Sequence, residues 1–376
     1  MQTKLPKVGT TIFTTMSKMA MDYNAINLSQ GFPNFPIDHQ IEELLQKNSK
    51  ENVHQYAPMA GLPSLLEGLA ELIQKQYKRK IDPSTELLVT AGATQGIFTA
   101  IQALVNIGEE VVVIDPAYDC YDPAIVLAGG KALHVAMNAD FTIDWRLLRE
   151  AVSQKTKLLI INNPHNPSGR MMTEFDYNQL IQLMEDHPNL LLLSDEVYEF
   201  ITFETPHRST HDHEVLQQRS IIVSSFGKTF HLTGWKVGYM VAPESLMKEI
   251  KKVHQFLVFS VNSVAQKTLA DYIQIADVSS LGNFYQSKRD RFQQLMQGSK
   301  FELLPSEGTY FQTARYSNIS DLPDMQFCEW LVKEMGVAAI PLSVFYDDHC
   351  DFKTVRFCFA KTEDTLIQAA ERLCKI

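Results

Sequence analysis

Between residues 86 and 242 the chain alternates short apolar runs with stretches of helical spacing. That alternation leaves few architectures open. It implies an α/β fold with a mostly parallel central sheet covered by helices on both faces. Glu86–Thr90 reads as a strand and Thr94–Asn106 as the helix after it. Further strands are predicted at Glu110–Ile114, Lys131–Val135, Lys157–Ile161, Leu190–Leu193, Ser220–Val223 and Val237–Val241, with an amphipathic helix over Thr173–His187. Ligands of such sheets sit at the carboxyl ends of the strands. The residues that follow each strand therefore carry the most information.

After Pro243 the pattern changes. A long helical stretch runs from Glu244 towards Met296, broken near Ser279–Gly282. Short strands at Phe301–Leu304, Thr309–Thr313, Val337–Ile340 and Thr354–Phe359 then mix with helices near Met325–Met335 and from Glu363. A chain of 376 residues exceeds one typical core. The expected division is a large α/β domain over 41–280 and a smaller α+β domain formed by 1–40 together with 281–376. No internal repeat, low-complexity run or flexible linker interrupts it.

Acidic residues outnumber basic ones, 44 against 34, giving a net charge of −10. That argues against non-specific nucleic-acid binding. The five cysteines are scattered and lack Cys-x-x-Cys spacing, so neither a disulfide framework nor a zinc site is expected. His207 and His211 have His-x-x-x-His spacing, but they follow Pro206 in a turn-like stretch and no glutamate follows His207; no metal site is expected. No apolar run approaches the ~20 residues of a membrane helix, and the first residues lack an apolar signal core, so the expectation is a cytoplasmic protein without membrane contact.

Lys228 follows the apolar run Ser220–Val223, and Asp195 closes the run Leu190–Leu193. A lysine at the end of a buried strand is costly unless it is neutralised, paired or used. Gly227-Lys228-Thr229 resembles the end of a phosphate loop, but that motif needs glycine at position 222, where Ile222 stands. Eight residues on lies a second cation, Lys236, and Ser225 offers a hydroxyl nearby. An amine and a carboxylate at neighbouring strand tips are the layout that pyridoxal phosphate chemistry requires: one group for the aldehyde, one for the ring nitrogen. Taken alone, Lys228 reads first as a surface loop residue; the alternative for Asp195 is a turn cap with Tyr198 as packing.

Four other segments end or form strands. Thr90-Ala91-Gly92-Ala93-Thr94 is a strand–turn–helix whose small residues expose backbone N–H groups to an anion; as a dinucleotide fingerprint it fails, because Thr94 and Ile97 stand where glycine is required. Tyr118 can stack on a flat ring, or pack. Asn162-Asn163-Pro164-His165-Asn166-Pro167 is a rigid loop, in which Asn166 can donate its amide and Asn166–Pro167 is a candidate cis bond. Arg356 lies within the mostly apolar strand Thr354–Phe359 and needs an anion: a substrate α-carboxylate, or a structural salt bridge.

Taken in order, Asn166-Pro167-Ser168-Gly169, Ser194-Asp195-Glu196-Val197-Tyr198, Ser225-x-x-Lys228 and the late Arg356 resemble the fold-type-I pyridoxal-phosphate-dependent aminotransferases over essentially the whole chain. Asn27–Phe35, His54-Gln55-Tyr56 and Lys252–Phe256 resemble the branch that handles kynurenine, glutamine and methionine, and within it the bacterial methionine type. The resemblance implies that Lys228 binds the cofactor aldehyde and moves the substrate proton. Asp195 would pair with the ring nitrogen, Asn166 and Tyr198 would hold the phenolic oxygen, and Tyr118 would stack on the ring. Ala93, Thr94, Ser225, Lys236 and, from across a homodimer interface, Tyr56 would hold the phosphate. Gly31, Asn166 and Arg356 would take the α-carboxylate. Phe13 and the neighbour's Phe259 would line the side-chain pocket.

Departures from the kynurenine pattern are Ser260 and Phe13, where histidine and tryptophan are frequent; they favour a flexible apolar side chain. Lys236 stands where many relatives have arginine, and it would meet a phosphate as a point charge. The implied activity is transfer of an amino group from an L-amino acid to a 2-oxo acid. A β-lyase acting on cysteine conjugates, a kynurenine aminotransferase and a non-catalytic cofactor-binding regulator are the alternatives.

Overall fold

The structure is a computed structural model and describes residues 3–376. Its first strand, β1 (Ile26–Asn27), belongs to a small pair described below. The large sheet follows: β2 (Leu87–Thr90), β3 (Glu110–Asp115), β4 (Lys131–Ala136), β5 (Thr156–Asn162), β6 (Leu191–Asp195), β7 (Ser220–Ser225) and β8 (Gly238–Val241). They lie in the order β2-β8-β7-β6-β5-β3-β4. Only β8 runs against its neighbours; every other adjacent pair is parallel.

The continuous apolar runs arise because both faces are buried. Side chains of a strand alternate between faces. Val111, Val113, Leu158, Ile160, Leu191 and Leu193 join one core, whereas Val112, Ile114, Leu159, Ile161, Leu190 and Leu192 join the core on the other side. The chain passes outward from β3 to β4, then returns to lay β5 on the other side of β3. Connections therefore leave β3 and β5 in opposite directions and open a crevice at their carboxyl ends.

A second sheet is antiparallel, in the order β12-β13-β10-β9, from β9 (Glu302–Leu303), β10 (Phe311–Arg315), β12 (Ile340–Pro341) and β13 (Thr354–Cys358). Beside it, β1 pairs in parallel with β11 (Val337–Ala338). Met16 and Leu28 share one core with Phe292, Phe357, Leu366 and Leu373, so segments near both ends of the chain pack together.

Three segments differ from the sequence reading. The stretch from Glu244 is three main helices, Glu244–Leu257, Ser263–Tyr272 and Leu281–Leu295, with a single 3-10 turn over Val278–Ser280. The unforeseen break falls where Phe259 takes a left-handed φ of 64° and Asn262 caps the next helix through Ala265 N. Val337–Ile340 is not one strand: β11 and β12 join different sheets. Strand β10 starts at Phe311 rather than Thr309, whose φ of 67° is incompatible with a strand. Helices at His39–Asn48 and Pro63–Tyr77, which the sequence reading did not assign, pack against Ser263–Tyr272.

Leu192 is fully buried in β6, the strand that ends in Asp195. Leu192→Ala is expected to cost about 2–5 kcal/mol, read as an earlier midpoint in urea unfolding.

Candidate active site

Five strands of the large sheet deliver side chains to one cavity of about 320 Å³. Phe13, Gly31, Ala93, Thr94, Tyr118, Asn166, Asp195, Tyr198, Ser225, Lys228, Lys236 and Arg356 all line it. Tyr56 and Phe259 do not. They lie outside the cavity, 82% and 48% exposed, edge to face against each other with centroids 5.2 Å apart.

Lys228 reaches the cavity because β7 ends in a single helical turn, Phe226–Thr229, started by the Ser225 hydroxyl accepting from Gly227 N. Its ammonium donates to Tyr310 Oη at 2.8 Å and to Gly31 O at 3.3 Å. It lies 5.5 Å from the Tyr198 ring centroid. Burial lowers its pKa to about 8; Arg356 and Lys236 repel the charged form and Asp195 opposes them.

Asp195 closes β6. One carboxylate oxygen accepts from Tyr121 Oη at 2.7 Å and the other from Val197 N at 3.3 Å. Burial raises its pKa to about 6, against those hydrogen bonds and the charge of Lys228. Asn162, the last residue of β5, binds the Asp195 carbonyl with its amide at 2.8 Å and accepts from Asn166 N at 2.7 Å. The Asn166–Pro167 bond is cis.

Arg356 projects from β13 of the other sheet and is 1% exposed. Its guanidinium donates to Asn166 Oδ1 at 2.7 Å and to Ser29 O at 3.1 Å, and it stacks on Phe311 with 3.8 Å to the ring centroid. No carboxylate pairs with it among the described residues, and its Nε has no partner. Because Asn166 Oδ1 is taken by Arg356, the Asn166 amide N–H₂ group is free to donate.

At the end of β2, Gly92 adopts a φ of 80° and starts the helix Ala93–Leu104. A Cβ there would stand 3.2 Å from Lys236 Nζ, so glycine lets that ammonium lie against the helix start. The backbone N–H groups of Ala93 and Thr94 have no partner within the described chain. Free N–H groups at a helix start beside a cation form an anion site.

Two phenols escaped the sequence reading. Tyr310 accepts from Lys228 and donates to Gly31 O at 2.6 Å; Tyr121 braces Asp195. Burial pushes both hydroxyls well above the usual tyrosine range, so both stay protonated donors. The only hint was position: Tyr310 directly precedes a strand, and Tyr121 lies three residues beyond Tyr118.

These groups fit a phosphorylated pyridine aldehyde: an amine of lowered pKa, a buried carboxylate, free amides at a helix start and an arginine without an anion. A profile described as Aminotransferase class I and II matches residues 23–373. The chain belongs to the class I and II aminotransferases. Members of this family use pyridoxal phosphate. Methionine aminotransferase of Escherichia coli is 47% identical over 99% of this chain and 97% of its own length. Kynurenine–oxoglutarate transaminase 1 of mouse is 32% identical, over 96% and 93%. Among solved structures, an Escherichia coli protein with methionine aminotransferase function superposes with a TM-score of 0.97 at 46% identity, covering 100% of this chain and 99% of the other. N-succinyldiaminopimelate aminotransferase from Mycobacterium tuberculosis gives 0.96 at 34%, over 100% and 99%.

The lowered pKa of Lys228 has a direct consequence. In cofactor-free protein, the rate of Lys228 modification by an amine-selective reagent should rise through pH about 8, above which the neutral amine dominates. A profile rising only near the ordinary lysine value of ~10.4 would contradict this environment. Mass spectrometry of the labelled peptide reads the result.

Proposed function

We propose that this aminotransferase takes L-methionine and aromatic or glutamine-like L-amino acids as donors and passes the amino group to a 2-oxo acid. The two substrates bind in turn at one site, the first product leaving before the second substrate enters. The observation that carries the reading is Arg356: a buried guanidinium without a carboxylate partner, in one cavity with Lys228 and Asp195.

Pyridoxal phosphate, when bound, supplies an electron-withdrawing ring that stabilises negative charge at the substrate α-carbon. The protein's residues do the rest. Lys228 Nζ holds the aldehyde and then carries the α-proton; a pKa of about 8 leaves a usable fraction of free amine near neutrality. Asp195, with a pKa of about 6, is mostly ionised at pH 7 and keeps a ring nitrogen protonated. Tyr118 would stack on the ring and Val197 would press on its other face. Tyr198 and the Asn166 amide would hold the phenolic oxygen. Ala93, Thr94, Ser225 and Lys236 would hold the phosphate. Arg356, Asn166 and the Gly31 N–H would hold the α-carboxylate.

The donor preference is supported by the cavity wall. Phe13 packs 6.0 Å from Phe345 and 6.5 Å from Tyr118, centroid to centroid, making an apolar rim. Among the described residues, Lys228, Lys236 and Arg356 are the only Lys or Arg side chains lining the cavity. Each has a role already, so a distal carboxylate such as that of aspartate finds no counter-charge.

A homodimer completes the proposal. Tyr56 and Phe259 stand exposed beside each other, with Phe256 87% exposed nearby in sequence. Such exposed aromatics suit burial against a second copy, where Tyr56 would reach the partner's phosphate and Phe259 the partner's side-chain pocket. We further propose a large domain over 41–280 and a small one over 1–40 plus 281–376, on the strength of the shared core of both ends. A cytoplasmic location agrees with five free cysteines and with the absence, among the described residues, of a helix long and apolar enough to cross a membrane.

The test is a panel of amino donors against one oxo acid, with wild type and Lys228→Ala. Methionine should exceed aspartate in kcat/KM by at least about tenfold, the scale of one unpaired charge in a pocket. Lys228→Ala should lose turnover. Equal use of aspartate would overturn the donor preference, and wild-type turnover by Lys228→Ala would overturn the mechanism.

A further inference from the structure

One buried cation has no place in the site described above. Lys361 follows β13, is 3% exposed and has no carboxylate within ion-pair distance among the described residues. A buried ammonium without an anion is costly unless it is held by dipoles. Its Nζ donates to Gln30 O at 3.3 Å and to Phe32 O at 2.8 Å, and lies 5.1 Å from the Phe32 ring centroid. These are the carbonyls on either side of Gly31.

The segment Asn27–Phe32 is held carbonyl by carbonyl. Ser29 O accepts from Arg356, Gln30 O and Phe32 O from Lys361, and Gly31 O from Tyr310 and Lys228. The N–H groups of Ser29 and Gln30 both donate to Asn27 Oδ1. Among the described residues the N–H groups of Gly31 and Phe32 have no partner, and of those two residues only Gly31 lines the cavity. A Cβ on Gly31 would stand 2.8 Å from Phe311 Cζ, so no side chain fits there.

Peptide geometry then fixes a direction. The Gln30–Gly31 bond is trans, and in a trans peptide the C=O of one residue and the N–H of the next point opposite ways. Drawing Gln30 C=O towards Lys361 therefore turns Gly31 N–H away from Lys361. We infer that Lys361 is a positioning residue for substrate recognition: by gripping the carbonyls of Gln30 and Phe32 it aims the Gly31 N–H at the α-carboxylate of the amino acid and of the oxo acid. Lys361 itself touches neither substrate nor cofactor. The inference rests on the reading of Gly31 as a carboxylate donor.

The experiment compares the holoenzymes of wild type, Lys361→Met and Lys361→Gln. Methionine keeps the volume and removes the charge and donors; glutamine restores a neutral donor. In Lys361→Met the KM for the amino donor and for the oxo acid should both rise about 10- to 100-fold, the worth of a hydrogen bond to a charged group. Saturated kcat and the pyridoxal phosphate Kd from absorbance titration should stay within about threefold. Lys361→Gln should fall between. The decarboxylated analogue of the donor, which has no carboxylate, should react in single turnover at the same rate with all three proteins.

An unchanged KM, an equal loss with the decarboxylated analogue, or failure of both variants to fold would each overturn the role given to Lys361. If wild type itself did not distinguish the donor from its decarboxylated analogue, the reading of the carboxylate site would fall instead.

Discussion

The structure is organised around positive charge gathered at one cavity with too little negative charge to neutralise it. The buried Arg356, Lys228 and the exposed Lys236 line that cavity, and among the described residues Asp195 is the single carboxylate in its wall. A protein of net charge −10 has no shortage of acids that could have paired with them. Leaving the pairs unmade costs folding free energy. The excess of positive charge suits a ligand with one phosphate and one carboxylate, whose binding supplies the missing anions. The same imbalance depresses the pKa of Lys228, since burial and two neighbouring cations disfavour its charged form.

Neither sheet could hold these charges alone. The large sheet brings Ala93, Asn166, Asp195 and Lys228 to the carboxyl ends of β2, β5, β6 and β7, because parallel strands end on one side and the order reverses between β3 and β5. Arg356 comes from β13, in the antiparallel sheet. Asn166 joins the two: its backbone is fixed by Asn162 at the end of β5 and its side-chain oxygen is fixed by Arg356. The segment Asn27–Phe32 closes the remaining side, strapped to β13 through Leu28 O, which accepts from Cys358 N, and through Ser29 O.

Much of this was legible in the sequence for a simple physical reason. Strands buried on both faces must be continuously apolar, so a charged residue after such a run marks a sheet edge where charge is used. Lys228 and Asp195 were visible in that way, as was Arg356 inside an apolar strand. The supporting phenols were not. A buried tyrosine reads as packing, and nothing in the spacing says that Tyr121 points at Asp195 or Tyr310 at Lys228. Lys361 was hidden for a related reason: its partners are backbone carbonyls 331 and 329 residues earlier in the chain, and carbonyls leave no trace in residue identity. The break before Ser263 was hidden because Phe259, which turns the chain there, is neither glycine nor proline.

The acids beside the cavity complete the argument. Glu196 directly follows Asp195 and Glu199 directly follows Tyr198, yet both turn their carboxylates away from the cavity. Glu196 accepts from His207 at 2.8 Å, from Ser209 Oγ at 2.6 Å and from Thr210 N at 3.0 Å; these bonds outweigh its burial and hold its pKa near 2. Glu199 accepts from Tyr77, Ser224 and Tyr239. Each is satisfied by donors of its own, so neither is drawn towards Lys228 or Arg356. Keeping the site cationic thus depends on a second, buried set of hydrogen bonds behind it. Ser224, which holds Glu199, directly precedes Ser225 in β7, so the same contact that occupies an unwanted acid also fixes the strand end from which Lys228 is presented.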